Sequence, residues 1–355
     1  MTDPKQLPPM KLLRRLRHDY PAAFDFLDHV RIDPRYASLW PHNLSWVTSD
    51  AVLGYMTARR GCAAAALPYE EAARIPAMLA VSGWRQAKMV YDFAPALTEA
   101  LYRQGEEGQI TVSTALLALP CWAAYIRPNY RDSGDENDRG YDFFVYRDFD
   151  PSPMLRFLSL AGDGRPDLEF VLYLRDEEET LEEAVCHTAE RLKESWAHAR
   201  ELTAVQESLG GTAFDEEGLG ETVRFFERVI RKWLMLVLYL SAGNAEIRRD
   251  PAHFFRRTKK VADIPREVEP FLVGEETGLR LMTLRRAAAS SGHGPMGGHH
   301  RSPVTHLRRA HWHTYYTGPR KGGTKRKRLL KWIAPIVVGA GGKPADRVTM
   351  ARVRP

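Results

Sequence analysis

Apolar positions between Pro9 and Val30 recur at spacings of three and four, with Leu12, Leu13, Leu16, Phe24 and Leu27 in phase and Pro21 interrupting them. That rhythm predicts two short helices or one broken one. The helical period returns from Ser49 to Arg60 and from Tyr69 to Tyr102, punctuated by Pro76 and Pro95, so the first hundred residues read as all helical. From Ile110 the period shortens. After a short apolar run ending in Leu119-Pro120, Trp122 to Ile126, Tyr141 to Phe149, Met154 to Leu160 and Leu168 to Leu174 read as strands. Turn signals at Asp150-Pro151 and Gly162-Asp163-Gly164 separate them. Connections this short join antiparallel neighbours, which predicts a meander of about four strands. Two long helices should follow, Glu178 to Leu202 with acids in its first turn and Glu221 to Leu240, increasingly apolar, with an edge strand around Val268 to Val273. Helices before and after a small antiparallel sheet make an α+β fold.

Residues 287–304 contain Ser290-Ser291-Gly292-His293-Gly294-Pro295 and Gly297-Gly298-His299-His300 and almost no large apolar side chain, the composition of a flexible linker. Beyond it the alternation of His311, His313 and Tyr315 with Trp312, Thr314 and Tyr316 is that of a strand. Gly318-Pro319 and Gly322-Gly323 supply a turn, and Lys325 to Ile333 a return strand, so a basic β-hairpin is expected. The expected partition is a helical region over 1–108, an α+β body over 109–286, the linker, the basic module over 305–340 and a tail over 341–355.

Charge sharpens this partition. Residues 301 to 355 carry fourteen Lys or Arg against one acid, Asp346, whereas the first 300 carry 37 basic and 44 acidic side chains. The overall +6 therefore hides a mildly acidic body and a basic end suited to a polyanion. Cys62, Cys121 and Cys186 form no paired motif, which argues against a disulfide framework and for a reducing compartment. The most apolar window, Trp233 to Leu240, falls far short of the roughly 20 residues a membrane span requires. No phosphate-binding loop, dinucleotide fingerprint, HExxH or nucleophile elbow occurs, and no cofactor is expected.

Candidate chemistry concentrates in the basic module. A zinc site at His311 and His313 would need further ligands from His306 or the linker histidines, with no Cys or Glu nearby in sequence, so no metal is expected. As proton donor and acceptor, with Tyr315 beside them, the two imidazoles could serve a metal-independent ribonuclease. Simple packing or contact with nucleic acid is the alternative. Cations interleaved with aromatics can grip backbone and unstacked bases together. The candidate nucleic-acid contacts are Arg308, Arg309, Trp312, Tyr316, Arg320, Lys321, Lys325, Arg326, Lys327, Arg328, Lys331 and Trp332. Neutralising about six phosphates would give single-strand affinity a log-log salt slope of roughly −4. For a peptide partner the aromatic and cationic candidates are Trp84, Arg85, Trp122 and Tyr125, for each of which core packing is the competing role.

Several separated motifs resemble a known family. Gly83-Trp84-Arg85 with Tyr91, Leu119-Pro120 with Trp122 and Tyr125, the strand from Phe143 to Asp148, and Glu269-Pro270-Phe271 occur in order. Arg308-Arg309-Ala310-His311-Trp312-His313 follows with Tyr315, Gly318, Trp332 and Pro335. Over about residues 40 to 340 the chain resembles the anti-CRISPR proteins directed against type V-A systems that lower expression of the effector nuclease. The resemblance implies a phage or plasmid protein acting in the bacterial host cytoplasm. It implies recognition of the nuclease's nascent polypeptide at the ribosome and degradation of the mRNA being translated. The division of labour inferred here is a folded body for the peptide and a tethered basic module for RNA or ribosome. A ribonuclease using the C-terminal histidines, or a nucleic-acid-binding regulator without peptide specificity, are the alternatives.

Overall fold

The computed structural model describes residues 6–36, 38–130, 141–207, 216–249, 268–290, 306–318 and 326–338. The basic stretch around Arg256 to Lys260, most of the acidic loop after Tyr130, and the Gly/His-rich segment beyond Ser290 lie outside them. The hairpin turn and the C-terminal tail do so as well.

Three layers make up the body. The first is helical: α1 (Pro8–Asp19), α2 (Ala23–Ile32), α3 (Ser49–Arg60), the single turn α4 (Tyr69–Ala72) and α5 (Ile75–Trp84). Pro8 starts α1, where its missing N–H costs nothing, and Leu12, Leu13 and Leu16 turn inward together. Helix α5 is buried on all sides from Ala77 to Trp84, as its uniformly apolar sequence requires.

The middle layer is a sheet in the order β5-β4-β3-β2-β1-β7-β6. Its strands are β1 (Met89–Phe93), β2 (Ala123–Arg127), β3 (Phe143–Phe149), β4 (Pro153–Leu160), β5 (Pro166–Tyr173), β6 (Ile247–Arg249) and β7 (Glu269–Val273). Strands β2 to β5 form the expected antiparallel meander. The sheet is larger than a meander, however, and mixed. Strand β1 lies parallel between β2 and β7, and β6 pairs antiparallel with β7 at the end. Two expectations are thereby corrected. The first hundred residues are not all helical, because Lys88 takes a left-handed φ of 48° after α5 and the chain leaves as a strand. The segment read as an edge strand is interior, because β6 covers it.

The third layer comprises α6 (Pro95–Glu107), α7 (Leu181–Glu207) and α8 (Glu216–Ser241), with α9 (Glu275–Ser290) against α6. Helix α9 was not foreseen and runs into the segment expected to be linker. Both sheet faces are covered, so the start of β3 is apolar at successive positions: Phe143 and Val145 face the α6–α8 core, Phe144 and Tyr146 the α1–α5 core. Trp233 of α8 stacks on Phe143 at 4.3 Å between ring centroids and anchors the third layer. Among the described residues no helix is long and apolar enough to cross a membrane.

A polar knot sits where β1, β2 and β3 meet. The Arg127 guanidinium lies 2.9 Å from Asp92 and 3.4 Å from Asp142, and the Tyr125 hydroxyl donates to Asp142 at 3.4 Å. Burial dominates, and despite Arg127 it pushes the Asp142 carboxyl up to about 6. A raised carboxyl favours the folded state as pH falls and penalises it above that value. Asp142→Asn is therefore expected to stabilise the protein by about 2 kcal/mol at pH 8. The gain should shrink as pH falls through 6 and vanish near pH 4, as urea unfolding at the three pH values would reveal.

Candidate nucleic-acid interface

The C-terminal segment forms β8 (His306–Arg308), β9 (His311–Thr317), β10 (Lys327–Ile333) and β11 (Ile336–Val338). Strands β9 and β10 make the expected antiparallel hairpin, opposing His313 with Lys331, Trp312 with Trp332 and Tyr316 with Arg328. Strands β8 and β11 pair beyond its open end, with Arg308 opposite Ile336.

Strand alternation gives the hairpin two unlike faces. On one, Trp312, Trp332 and Leu330 pack into the core of the α6–α8 layer, with Leu330 2% and Trp332 3% exposed. The Trp332 indole donates to Gln104 Oε1 of α6 at 3.0 Å and meets Tyr239 of α8 edge to face at 5.7 Å. The Trp312 indole points at Met235 Sδ, 3.4 Å away. The outer edge of β10 is held by the turn after α8. Gly243 N–H donates to Leu330 O at 2.8 Å, and the Asn244 side chain accepts from Trp332 N at 3.0 Å while donating to Trp332 O at 2.8 Å. A Cβ at Gly243 would push the Leu329 side chain aside. Ion pairs close the rim, Arg328 to Glu178 at 3.1 Å and Arg309 to Glu107 at 3.2 Å.

The expectation of a tethered module is thus corrected: the hairpin is part of the body's core. The reason is the two tryptophans, which pack against α6 and α8. Trp332 is also withdrawn as a base-stacking surface, and Trp312 is half-buried against α8. Arg328 remains on the surface but is committed to Glu178.

The opposite face carries His311, His313, Tyr315, Lys327 and Lys331. Tyr315 is 40% exposed, with the His313 ring edge-on at 4.3 Å and the Lys331 ammonium 5.1 Å from its centre. Along the rim Arg326 lies 5.4 Å from the Tyr316 ring, and Arg308 and Arg309 are exposed. Arg320, Lys321 and Lys325 fall outside the described residues. Among the described residues no carboxylate bonds either histidine; His311 Nδ1 lies 3.4 Å from its neighbour's carbonyl, Arg309 O. The arrangement offers cations and ring faces to a polyanion, whereas a proton relay would need an orienting partner for at least one imidazole. Nor does any cluster of His, Cys, Asp or Glu among the described residues have the makings of a metal site.

The four peptide candidates lie on the other side of the sheet. Trp84 is fully buried, donates to Met89 O at 2.8 Å and meets Phe144 edge to face. Tyr125 is buried on the same ring. Arg85, 2% exposed, is paired with Asp28 and lies over Phe24. These three cannot line a surface groove, because each is consumed by the core between sheet and helices. Trp122, half-buried, packs on Trp46 at 5.1 Å. Sequence reasoning missed the residues that seat the hairpin, Gln104, Glu178 and Asn244, since nothing local in a Gln, a Glu or an Asn marks a partner so distant in the chain.

Known proteins agree with this architecture. A comparison with curated proteins finds no match. Among solved structures the chain is similar to one described as the crystal structure of AcrVA2, with a TM-score of 0.55 and 14% identity, covering 92% of this chain and 97% of that one. A family model described as AcrVA2-like, anti-CRISPR type V subtype A2, matches residues 91–340, which takes in the sheet from within β1 onward, the α6–α9 helices and the hairpin. The chain belongs to the AcrVA2-like family of type V-A anti-CRISPR proteins.

Proposed function

We propose that this protein lowers expression of a CRISPR effector nuclease by recognising the nuclease's nascent polypeptide and bringing about loss of the mRNA under translation. The hairpin is its contact to RNA or ribosome. The observation that carries the reading is the two-faced hairpin: one face locked into the core, the other presenting His313, Tyr315, Lys327 and Lys331. A rigid display of cations beside rings suits phosphate and unstacked bases and pays little ordering entropy on contact.

A translating extract supplied with effector mRNA tests it. The wild-type chain should deplete the transcript only while it is translated, and a start-codon mutant of the transcript should survive. Lys327→Ala combined with Lys331→Ala and His313→Ala should weaken depletion by about tenfold or more without changing thermal stability, since these side chains face away from the core. Transcript levels that stay constant while purified effector is inhibited directly would overturn the proposal.

A further inference from the structure

The α1–α5 layer carries a groove that none of the sequence candidates occupies. It has a volume of about 360 Å³ and lies between α2, α3 and the β3–β4 turn. Its apolar wall includes Phe26, 40% exposed, and Leu39, 63% exposed, an unusual outlay of large side chains to water around one cavity. Trp40 lines it too, and this side chain is 97% buried, yet its indole N–H finds no acceptor among the described residues. A buried donor without a partner costs stability unless something supplies the acceptor.

The remaining wall is acidic. Asp50 and Asp150 both line the groove, both are exposed, and neither has a cationic partner among the described residues. Burial and the neighbouring charges of Asp150 and Asp148 push the Asp50 carboxyl up, the mark of acids crowded without a counterion. Asp148 itself is neutralised by Arg156 at 2.8 Å.

The wall is also held in place before any ligand arrives. Arg31 donates to the carbonyls of Ser45 at 2.8 Å, Trp46 at 2.6 Å and His42 at 2.8 Å, and its guanidinium lies 4.3 Å from the Trp46 ring and 5.3 Å from Trp122. The segment that presents Leu39 and Trp40 is therefore tied down close by, which lowers the entropic cost of binding.

We infer that this groove seats an extended polypeptide segment in which a large apolar side chain is flanked by Lys or Arg. The apolar side chain enters between Phe26 and Leu39, the cation meets Asp50 and Asp150, and a peptide carbonyl accepts from Trp40. An acidic or neutral apolar segment lacks the charge complement, and a nucleic acid is repelled by the same two carboxylates. The inference rests on the nascent-polypeptide reading and locates its contact, far from the hairpin's outer face and on the opposite side of the sheet.

Selection from a random library of peptides about nine residues long, displayed against the full chain, tests it. Selected sequences should share a large apolar residue within two positions of Lys or Arg. Gly54 lines the groove in the middle of α3 with open space where a Cβ would stand, so Gly54→Leu should put its side chain into the groove and leave thermal stability equal or higher. Binding of the selected peptides should fall about tenfold or more in Gly54→Leu. In Asp50→Asn with Asp150→Asn it should fall several-fold, with the deficit shrinking at high salt. Peptides that bind Gly54→Leu as tightly as wild type, an acidic consensus, or no enrichment would overturn the assignment. In the translating extract the two failures separate. Translation-dependent depletion that persists in Gly54→Leu removes the groove and leaves the nascent-polypeptide reading standing. Depletion by wild type that needs no translation removes that reading itself.

Discussion

Trp332→Ala should destabilise the whole protein by about 3 to 5 kcal/mol, the range for emptying a buried tryptophan site. The substitution removes the ring that meets Tyr239, leaves Gln104 without the indole donor, and opens a cavity between α6, α8 and the hairpin. Urea unfolding followed by far-UV circular dichroism, which reports the sheet and helices together, should shift as one transition to lower denaturant. An independently folded, tethered module would behave otherwise: the body's transition would stay where it is in wild type. Trp332→Phe, which keeps most of the apolar volume but not the N–H, should recover more than half of the loss.

Asp148→Ala should cost a similar amount, about 3 to 5 kcal/mol, because it strands a charge that the fold has taken out of water. Asp148 has no exposed surface and accepts from Arg156 Nε at 2.8 Å, Phe149 N at 2.8 Å and Ser49 N at 3.2 Å. It thereby fastens the start of α3 to the β3–β4 hairpin. Glu169, 2.8 Å from the other side of Arg156, limits the damage but cannot reach the two backbone donors. Asp148→Asn, which preserves an acceptor while dropping the charge, should cost less than the alanine variant. Thermal unfolding of both variants at neutral pH decides the ranking.

Periodicity located much of this fold. Helix α3 coincides with the stretch from Ser49 to Arg60, the meander emerges strand for strand, and the hairpin's alternation is real. What periodicity could not reveal was pairing at long range. Strand β1 is five residues between two helices, and only its partners, β2 and β7, distinguish it from a helical turn. Helix α9 escaped because its inward apolar content is sparse; Leu281 is buried while Leu279 and Met282 are exposed. The candidate interface was legible as composition and as alternation. Which of its two faces meets solvent depends on Tyr239, Met235 and Gln104, contributed by helices remote in sequence. Aromatic richness was for the same reason a poor guide to a peptide site. Trp84 and Tyr125 are large and apolar, and they sit between sheet and helices, whereas the groove is walled by Phe26, Leu39 and Trp40 from segments without any motif.

The parallel pairing of β1 with β7 has a consequence for how the protein is made. Position 89 pairs with 269 and position 93 with 273, and Trp332 joins the core of the α6–α8 layer from later still in the chain. Contacts of such separation cannot form while the chain is emerging N-terminus first. Products that stop before residue 268, such as those released from a damaged transcript, would lack β7 and the hairpin and leave the edge of β1 unpaired. A protein proposed to act on another chain during its synthesis thus gains its own native structure only after residue 332 has been made.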